Sequence, residues 1–218
     1  MAKAPLTPVV LHAVIGADHG AALPGAELHL VQFRDIAAVV RSAAPGSAPA
    51  RDAAPDPALL AAHRDVIAAL HRQTAVLPAP AAVVARDPAS ILRWLEVHHV
   101  ALCEALTFVD DRCGARVHVT RSAVAASSGG PLTAAPLDLD ATATELFRSL
   151  RRHAVAATVV RHPATEVERA TGAFLVETDQ WGAFADAVAA EDRRHDAVRL
   201  ELTGPWPPYD FVKMQFGG

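Results

Sequence analysis

Residues 198–211 read VRLELTGPWPPYDF, and this stretch sets the organisation of the second half of the chain. Apolar residues alternate with polar ones over 198–202, which predicts a strand with one buried face. A glycine and three prolines within 204–208 end that strand, because proline cannot donate to a strand ladder. Upstream, the patterns predict a helix capped by Thr142 and Glu145, strands at 158–161 and 172–177, and a helix that begins at Thr178. We therefore expect residues 138–218 to form an α-β-β-α-β array, which is most of a ferredoxin-like unit.

The first half of the chain also interleaves strands with helices. Short β-branched or alternating runs predict strands at 8–15, 27–33, 36–40 and 116–121. Asp56-Pro57 and Asp87-Pro88 each place an N-cap acceptor before a proline that fits the first helical position, so both predict helix starts. The apolar segment 75–84 contains Pro78 and Pro80, which favours an extended edge segment.

Residues 123–137 carry no periodic pattern and are rich in serine, glycine and proline, which is typical of a connection between domains. The expected organisation is an N-terminal domain with a mixed α/β sheet at 1–122, a linker at 123–137 and a C-terminal ferredoxin-like domain at 138–218. Both domains belong to the α+β class.

Composition excludes several classes of protein. The 218 residues are 51% apolar, include 48 alanines and carry a formal net charge of −4. This acidic balance provides no basic field, so neither nucleic acid nor a membrane is an expected partner. Cys103 and Cys113 are too few for a disulfide framework, and the N-terminal residues lack a signal-peptide core. We expect a cytoplasmic protein with reduced thiols.

The residues that could carry chemistry do not form a recognised motif. His63 lies within an apolar helical stripe and is expected to be a core histidine bonded to the backbone. His98 and His99 are neighbours on a predicted helix and cannot share one ligand face, while Cys103 is expected to pack as a small hydrophobe. We therefore expect no catalytic residues, no metal site and no cofactor.

The corner that follows the last strand is the exception. Its prolines restrict the backbone, and its aromatic side chains offer large faces with polar tips. A stiff aromatic segment loses little entropy when it docks, so it suits either a domain interface or the surface that binds a partner. The residues assigned to this role are Trp206, Pro207, Pro208, Tyr209 and Phe211.

The string Gly204-Pro205-Trp206-Pro207-Pro208-Tyr209-Asp210-Phe211 resembles the C-terminal signature of the gas vesicle accessory proteins of the F/L family (GvpL/GvpF). The VLP segment at 76–78, the AFLV segment at 173–176 and a helix with a histidine like His63 agree with the same family. Two departures are Ala79-Pro80-Ala81-Ala82, where members usually have Arg-Phe-Gly, and the missing acidic residue around Ala115.

The resemblance implies a non-enzymatic assembly protein that binds the apolar shell subunit of gas vesicles and other accessory proteins. It would act in the cytoplasm, either during assembly or in the vesicle wall. The residues alone leave two alternatives open. One is a small-ligand sensing or regulatory module, because ferredoxin-like domains often bind metabolites. The other is a hydrolase in which His63 and an aspartate pair share a cleft.

Overall fold

The computed structural model describes residues 7–20, 22–43, 56–81, 83–122, 138–160, 169–212 and 214. These residues form strands and helices in the order β1 (Val9–Gly16), β2 (Leu28–Phe33), β3 (Ile36–Ser42), α1 (Pro57–His71), β4 (Val76–Pro78), β5 (Val84–Ala85), α2 (Pro88–Val109), β6 (Arg112–Arg121), α3 (Leu139–Leu150), β7 (Ala156–Val160), β8 (Arg169–Glu177), α4 (Trp181–Arg194) and β9 (Val198–Trp206). The two sheets are antiparallel, and the predicted α+β class is confirmed.

Both aspartate–proline pairs begin helices as predicted. The Asp56 carboxylate accepts a hydrogen bond from the Ala58 amide at 2.9 Å, and Asp87 accepts one from the Ser90 amide at 2.7 Å. Each carboxylate satisfies an amide that has no partner inside its own helix. On α1, however, the buried face does not include every apolar position, since Leu59 is 53% exposed although it lies one turn before the buried His63.

The cap of α3 differs from the prediction. The Asp138 carboxylate accepts from the Ala141 amide at 3.0 Å, so the helix is capped four residues before the expected cap at Thr142. Thr142 lies inside the first turn and donates its hydroxyl to the Asp138 carbonyl at 2.8 Å. Aspartate competes well for the cap position because its carboxylate also interacts favourably with the helix dipole.

The first sheet has the order β2-β3-β1-β4, and β5 also pairs with β1. Alternation along β3 divides its side chains between two buried clusters. Ile36, Ala38 and Val40 pack with α2, whereas Ala37 and Val39 pack with α1. The two helices therefore cover opposite faces of this sheet, which explains why β3 reads as a continuous apolar run.

An irregularity in β1 changes which face its side chains meet. The pairing with β3 shifts register between Leu11 and Ala13. His12 contacts α1, and the next residue, Ala13, also packs on the α1 side. A bulge of this kind changes the direction of one side chain, and here the side chain of His12 points towards α1.

The second unit is a complete ferredoxin-like array. Its elements follow the order β6-α3-β7-β8-α4-β9, and its sheet has the order β7-β8-β6-β9. Alternate residues of β6 (Cys113, Ala115, Val117 and Val119) are buried in one cluster with residues of α3 and α4. The two helices thus share one face of the sheet.

The predicted domain boundaries are corrected at both ends. One compact unit comprises Met1–Asp111 and Pro207–Gly218, and the other comprises Arg112–Trp206. The strand β6, which the prediction assigned to residues 1–122, pairs with β8 and β9 and so opens the second unit. The predicted linker at 123–137 lies outside the described residues. Sequence pattern showed that β6 is a strand but not which sheet it joins.

Candidate functional site

The end of β9 is shaped by close packing around Gly204. This residue has a φ of +136°, and a Cβ there would lie 2.7 Å from the Trp181 ring and 2.9 Å from the Gly114 carbonyl oxygen. Only glycine fits this backbone and this space. The peptide bond to Pro205 is cis. The backbone at Gly204 is enclosed between Trp181 and β6. The fold therefore sets the direction of the chain at Trp206, two residues later.

Trp206 is the last residue of the second sheet, and its side chain is 49% exposed. Its partner in the ladder is Gly114 near the start of β6, so the start of β6 and the end of β9 are neighbours within that sheet. A half-exposed tryptophan on a paired strand combines a large apolar face with a fixed backbone, which is typical of a contact residue.

The residues after Trp206 belong to the first unit. Pro207 and Pro208 are buried. Tyr209 is half-buried and packs on the cluster between α1 and the first sheet. Its amide donates to the Pro207 carbonyl at 2.7 Å, and the Phe211 amide donates to the Pro208 carbonyl at 3.1 Å. Burial raises the pKa of the Tyr209 hydroxyl, with a smaller opposing effect from Arg64. This part of the corner is a turn that contributes to the core.

The five residues assigned from the sequence are therefore consecutive in the chain but unequal in exposure. Trp206 is exposed, whereas the two prolines are buried and Tyr209 and Phe211 are half-buried. Of these five, Trp206 alone offers a large accessible face. The assignment to a partner surface or a domain interface stays a prediction.

The pair His12 and His63 forms a buried polar contact beneath α1. The prediction for His63 is confirmed, since the residue is 5% exposed and its Nε2 donates to the Ala79 carbonyl at 3.0 Å. Its Nδ1 lies 3.1 Å from the Nδ1 of His12, and the rings stack at 5.0 Å. Because the carbonyl can only accept, Nδ1 of a neutral His63 is the acceptor and His12 donates. Burial lowers the pKa of both rings.

The same contact explains how the chain tolerates alanine at position 79. The Ala79 carbonyl accepts from His63, and its amide donates to the His12 carbonyl at 2.9 Å. Both interactions use the backbone, so the departure from the expected pattern at this position leaves them intact. Within the described residues, His12 Nε2 is buried without a hydrogen-bond partner. These features suit a structural contact better than a proton-transfer site, because both rings are almost fully buried.

A second cluster joins Asp35, His99 and Cys103. The His99 Nε2 lies 2.6 Å from Asp35 Oδ1 and 3.6 Å from the Cys103 sulfur. The Cys103 thiol lies 3.7 Å from Asp35 Oδ2. The bond with His99 lowers the pKa of the Asp35 carboxyl, whereas burial and the Asp35 charge raise the pKa of the Cys103 thiol. These three are donor groups of the kind that bind transition metals.

Sequence reasoning missed this cluster. Cys103 follows His99 by four residues on one helix, a spacing that places both side chains on the same face. That spacing is readable from the sequence, although the adjacent His98 and the apolar surroundings of Cys103 favoured the interpretation of Cys103 as a packing residue. Asp35 comes from a different element, and the packing of α2 on the β2–β3 hairpin was needed to place it there.

No helix among the described residues is long and apolar enough to cross a membrane. A family model described as "Gas vesicle synthesis protein GvpL/GvpF" matches residues 8–128 and 137–213. The chain is 30% identical over 181 residues to gas vesicle protein L of Streptomyces sp. (strain CB03234), which covers 69% of this chain and 67% of the relative. It is 46% identical over 44 residues to gas vesicle protein F2 of Halobacterium salinarum, and this match spans only 20% of either chain.

The fold is also shared with a solved structure. The crystal structure of the gas vesicle protein GvpF from Anabaena sp. PCC7120 superposes with a TM-score of 0.76, covering 97% of this chain and 98% of that chain. The two sequences are 14% identical, so this likeness concerns the fold.

Proposed function

Because this chain belongs to the GvpL/GvpF family of gas vesicle synthesis proteins, we propose that it is a non-enzymatic accessory factor that binds the apolar shell subunit during gas vesicle formation. Other accessory proteins are its further proposed partners, and the cytoplasm is its proposed place of action. An apolar subunit exposes surface that aggregates before assembly, so a protein that covers this surface meets a physical need.

The exposed face of Trp206 is the observation that supports this proposal most directly. Its side chain is 49% exposed, whereas Tyr209 is committed to the cluster beneath α1. Gly204 and Trp181 hold the preceding backbone, so the backbone that carries the indole is ordered before any partner binds. Aromatic residues held in this way supply much of the energy of protein interfaces.

The alternative function, a small-ligand sensor, has less support. Among the described residues of the second unit, an open depression of about 390 Å³ is lined by Arg152, His153 and Glu177. Sites for small ligands usually enclose most of the ligand surface. This depression opens widely to solvent, which favours the assembly function.

Titration of a shell-subunit peptide against the full chain tests the proposal. Trp206→Ala should weaken binding by about 2 kcal/mol, or about thirtyfold in Kd, because it removes an aromatic anchor. The matched control is Val97→Ala, which truncates an apolar side chain on α2 that is 77% exposed. This control should bind as the wild type does.

Thermal melts of the same variants separate docking from folding. Trp206→Ala should keep its melting temperature to within a few degrees because half of the side chain is already in water. Tyr209→Ala should instead destabilise the first unit by about 2 kcal/mol through lost packing. If Trp206→Ala bound the peptide as tightly as the wild type and the Val97 control, the proposed docking role would be wrong.

A further inference from the structure

We propose that Asp35, His99 and Cys103 form a binding site for a divalent cation of the zinc class, with a fourth coordination position open to solvent. This site lies in the first unit and is independent of the proposed docking through Trp206. It would fasten the β2–β3 hairpin to α2.

Two of the three distances within the cluster already fit tetrahedral coordination. With ordinary bond lengths, Zn²⁺ separates a bound sulfur from an imidazole nitrogen or a carboxylate oxygen by about 3.6 Å, and the nitrogen from the oxygen by about 3.4 Å. The cluster has 3.6 Å from sulfur to nitrogen and 3.7 Å from sulfur to oxygen. The hydrogen bond between His99 and Asp35 is 2.6 Å and must open. Rotation of the Asp35 side chain, which is 56% exposed, can provide that change.

The three donors are held on regular elements before any cation binds. Asp35 is the second residue of a two-residue hairpin loop, because Phe33 and Ile36 are paired on either side of it. Its carbonyl accepts from the Ala17 amide at 2.8 Å, which fixes the backbone. The edge of the Phe33 ring meets the His99 ring, with centroids 5.5 Å apart. A site built on a hairpin and a helix keeps its geometry better than one built on long loops.

The arrangement distinguishes a metal site from a cysteine nucleophile. In a catalytic triad the nucleophile and the acidic residue contact opposite nitrogens of the histidine ring. Here both Cys103 and Asp35 face the same nitrogen, Nε2. Such a histidine cannot accept a proton from the thiol while the carboxylate orients its other nitrogen. Three donors that converge on one point instead describe the position of a cation.

The donor set also selects the class of cation. Magnesium and calcium prefer oxygen donors, whereas one sulfur, one imidazole and one carboxylate suit Zn²⁺ or Co²⁺. Three protein ligands leave one position of a tetrahedron. The exposed side chain of Asp35 leaves solvent access for water in that position.

Cobalt titration of the reduced, metal-free full chain tests the inference, because bound Co²⁺ reports its ligands spectroscopically. We expect saturation at one equivalent, a thiolate-to-cobalt charge-transfer band in the near ultraviolet and tetrahedral d–d bands, all of which Zn²⁺ should abolish by displacement. Cys103→Ala should lose the charge-transfer band. His99→Gln and Asp35→Asn should each weaken binding by about tenfold or more.

Two matched controls separate this site from adventitious binding by the other histidines and the second thiol. Cys113→Ala removes the other cysteine, and His98→Gln removes the neighbouring exposed histidine. Both should keep the band and the affinity of the wild type. Zn²⁺ should also raise the melting temperature of the wild type but not of Cys103→Ala.

Each outcome decides the inference. A charge-transfer band at one equivalent that is lost in Cys103→Ala and kept in both controls supports it. Absence of the band in the wild type, or a band that persists in Cys103→Ala, overturns it. If Cys103→Ala did not fold, His99→Gln would decide in its place, because an unchanged affinity in that variant contradicts the site.

Discussion

Acidification from pH 7 to 4.5 should destabilise the first unit through the buried pair His12 and His63. The pKa of His12 is lowered from 6.5 to about 4 because burial disfavours the charged ring and because His63 and Arg41 add positive charge. Burial also lowers the pKa of His63, although its bond to Ala79 opposes the change. The unfolded chain keeps ordinary histidine pKa values and binds protons first. The contribution to stability is therefore complete above about pH 6.5 and is lost as the pH falls towards 4.

The size of the loss in stability follows from the lowered pKa of His12. A pKa lowered from 6.5 to about 4 at His12 corresponds to about 3 kcal/mol when protonation is complete, and about 2 kcal/mol of it is lost between pH 7 and 4.5. The contact between the rings also disfavours protonation, because a second proton on His63 would point at the donor nitrogen of His12. The carboxyls of Asp35 and Asp87, whose pKa values are lowered from 3.8, lose their contributions at lower pH. The chosen interval therefore reports on histidines, and burial also lowers the pKa of His71 at the end of α1, which adds to the loss from the pair.

Hydrogen exchange of α1, corrected for the pH dependence of intrinsic exchange, measures this loss locally. The free energy of opening of α1 should fall by about 2 kcal/mol from pH 7 to 4.5 in the wild type, whereas peptides from α3 in the second unit serve as an internal control. His12→Asn keeps a donor for His63 but cannot titrate, so its pH dependence should be clearly smaller. An equal pH dependence in wild type and His12→Asn, or none in either, would refute the reasoning.

Further expected outcomes concern stability. Gly172→Ala should cost about 1 to 3 kcal/mol in urea unfolding, because the new Cβ would lie 2.9 Å from the Phe147 ring. Gly182→Ala, with nothing within 4 Å of the new Cβ, should be neutral or stabilising by up to about 1 kcal/mol; a loss as large as that at Gly172 would contradict the packing argument. Asp138→Ala should lower the free energy of unfolding by about 1 kcal/mol through loss of the α3 cap. Asp140→Ala should change it less, and equal losses would argue against the cap.

Local signals in the sequence predicted local structure well. The helix starts at Asp56 and Asp87 and the strands β1, β2 and β3 follow from caps, prolines and apolar runs of a few residues. The α3 start was misplaced because Asp138 and Thr142 are both acceptable caps, and aspartate is the stronger of the two at a helix N-terminus. Patterns of this length carry no information about distant partners.

Long-range pairing therefore escaped prediction. The alternation in β6 identifies a strand, but its partners in β8 and β9 lie at least 49 positions away in the chain, the separation of Thr120 and Arg169. For the candidate metal site, the spacing of His99 and Cys103 is readable, whereas the arrival of Asp35 depends on how α2 packs. His12 escaped prediction for a related reason, since a bulge in β1 turns it towards α1.

The aromatic and proline-rich string at residues 204–211, which begins within the end of β9, can now be explained as the point where the chain passes from one unit to the other. Gly204 supplies the backbone that fits between Trp181 and β6, and Trp206 completes the ladder of the second sheet. Pro207 and Pro208 then stop the ladder, because they have no amide to donate. Tyr209, three residues after Trp206, packs into the first unit.

The composition of the string follows from the small number of residues in which the chain must leave one sheet and enter another core. A fragment that ended at residue 122 would therefore lack Tyr209 and the neighbouring apolar residues that complete the first unit, and it would carry β6 without its partners. The structural role of the string rests on its glycine, prolines and tyrosine. The exposed face of Trp206 has no part in that structural role, and it is the surface at which we propose that a partner docks.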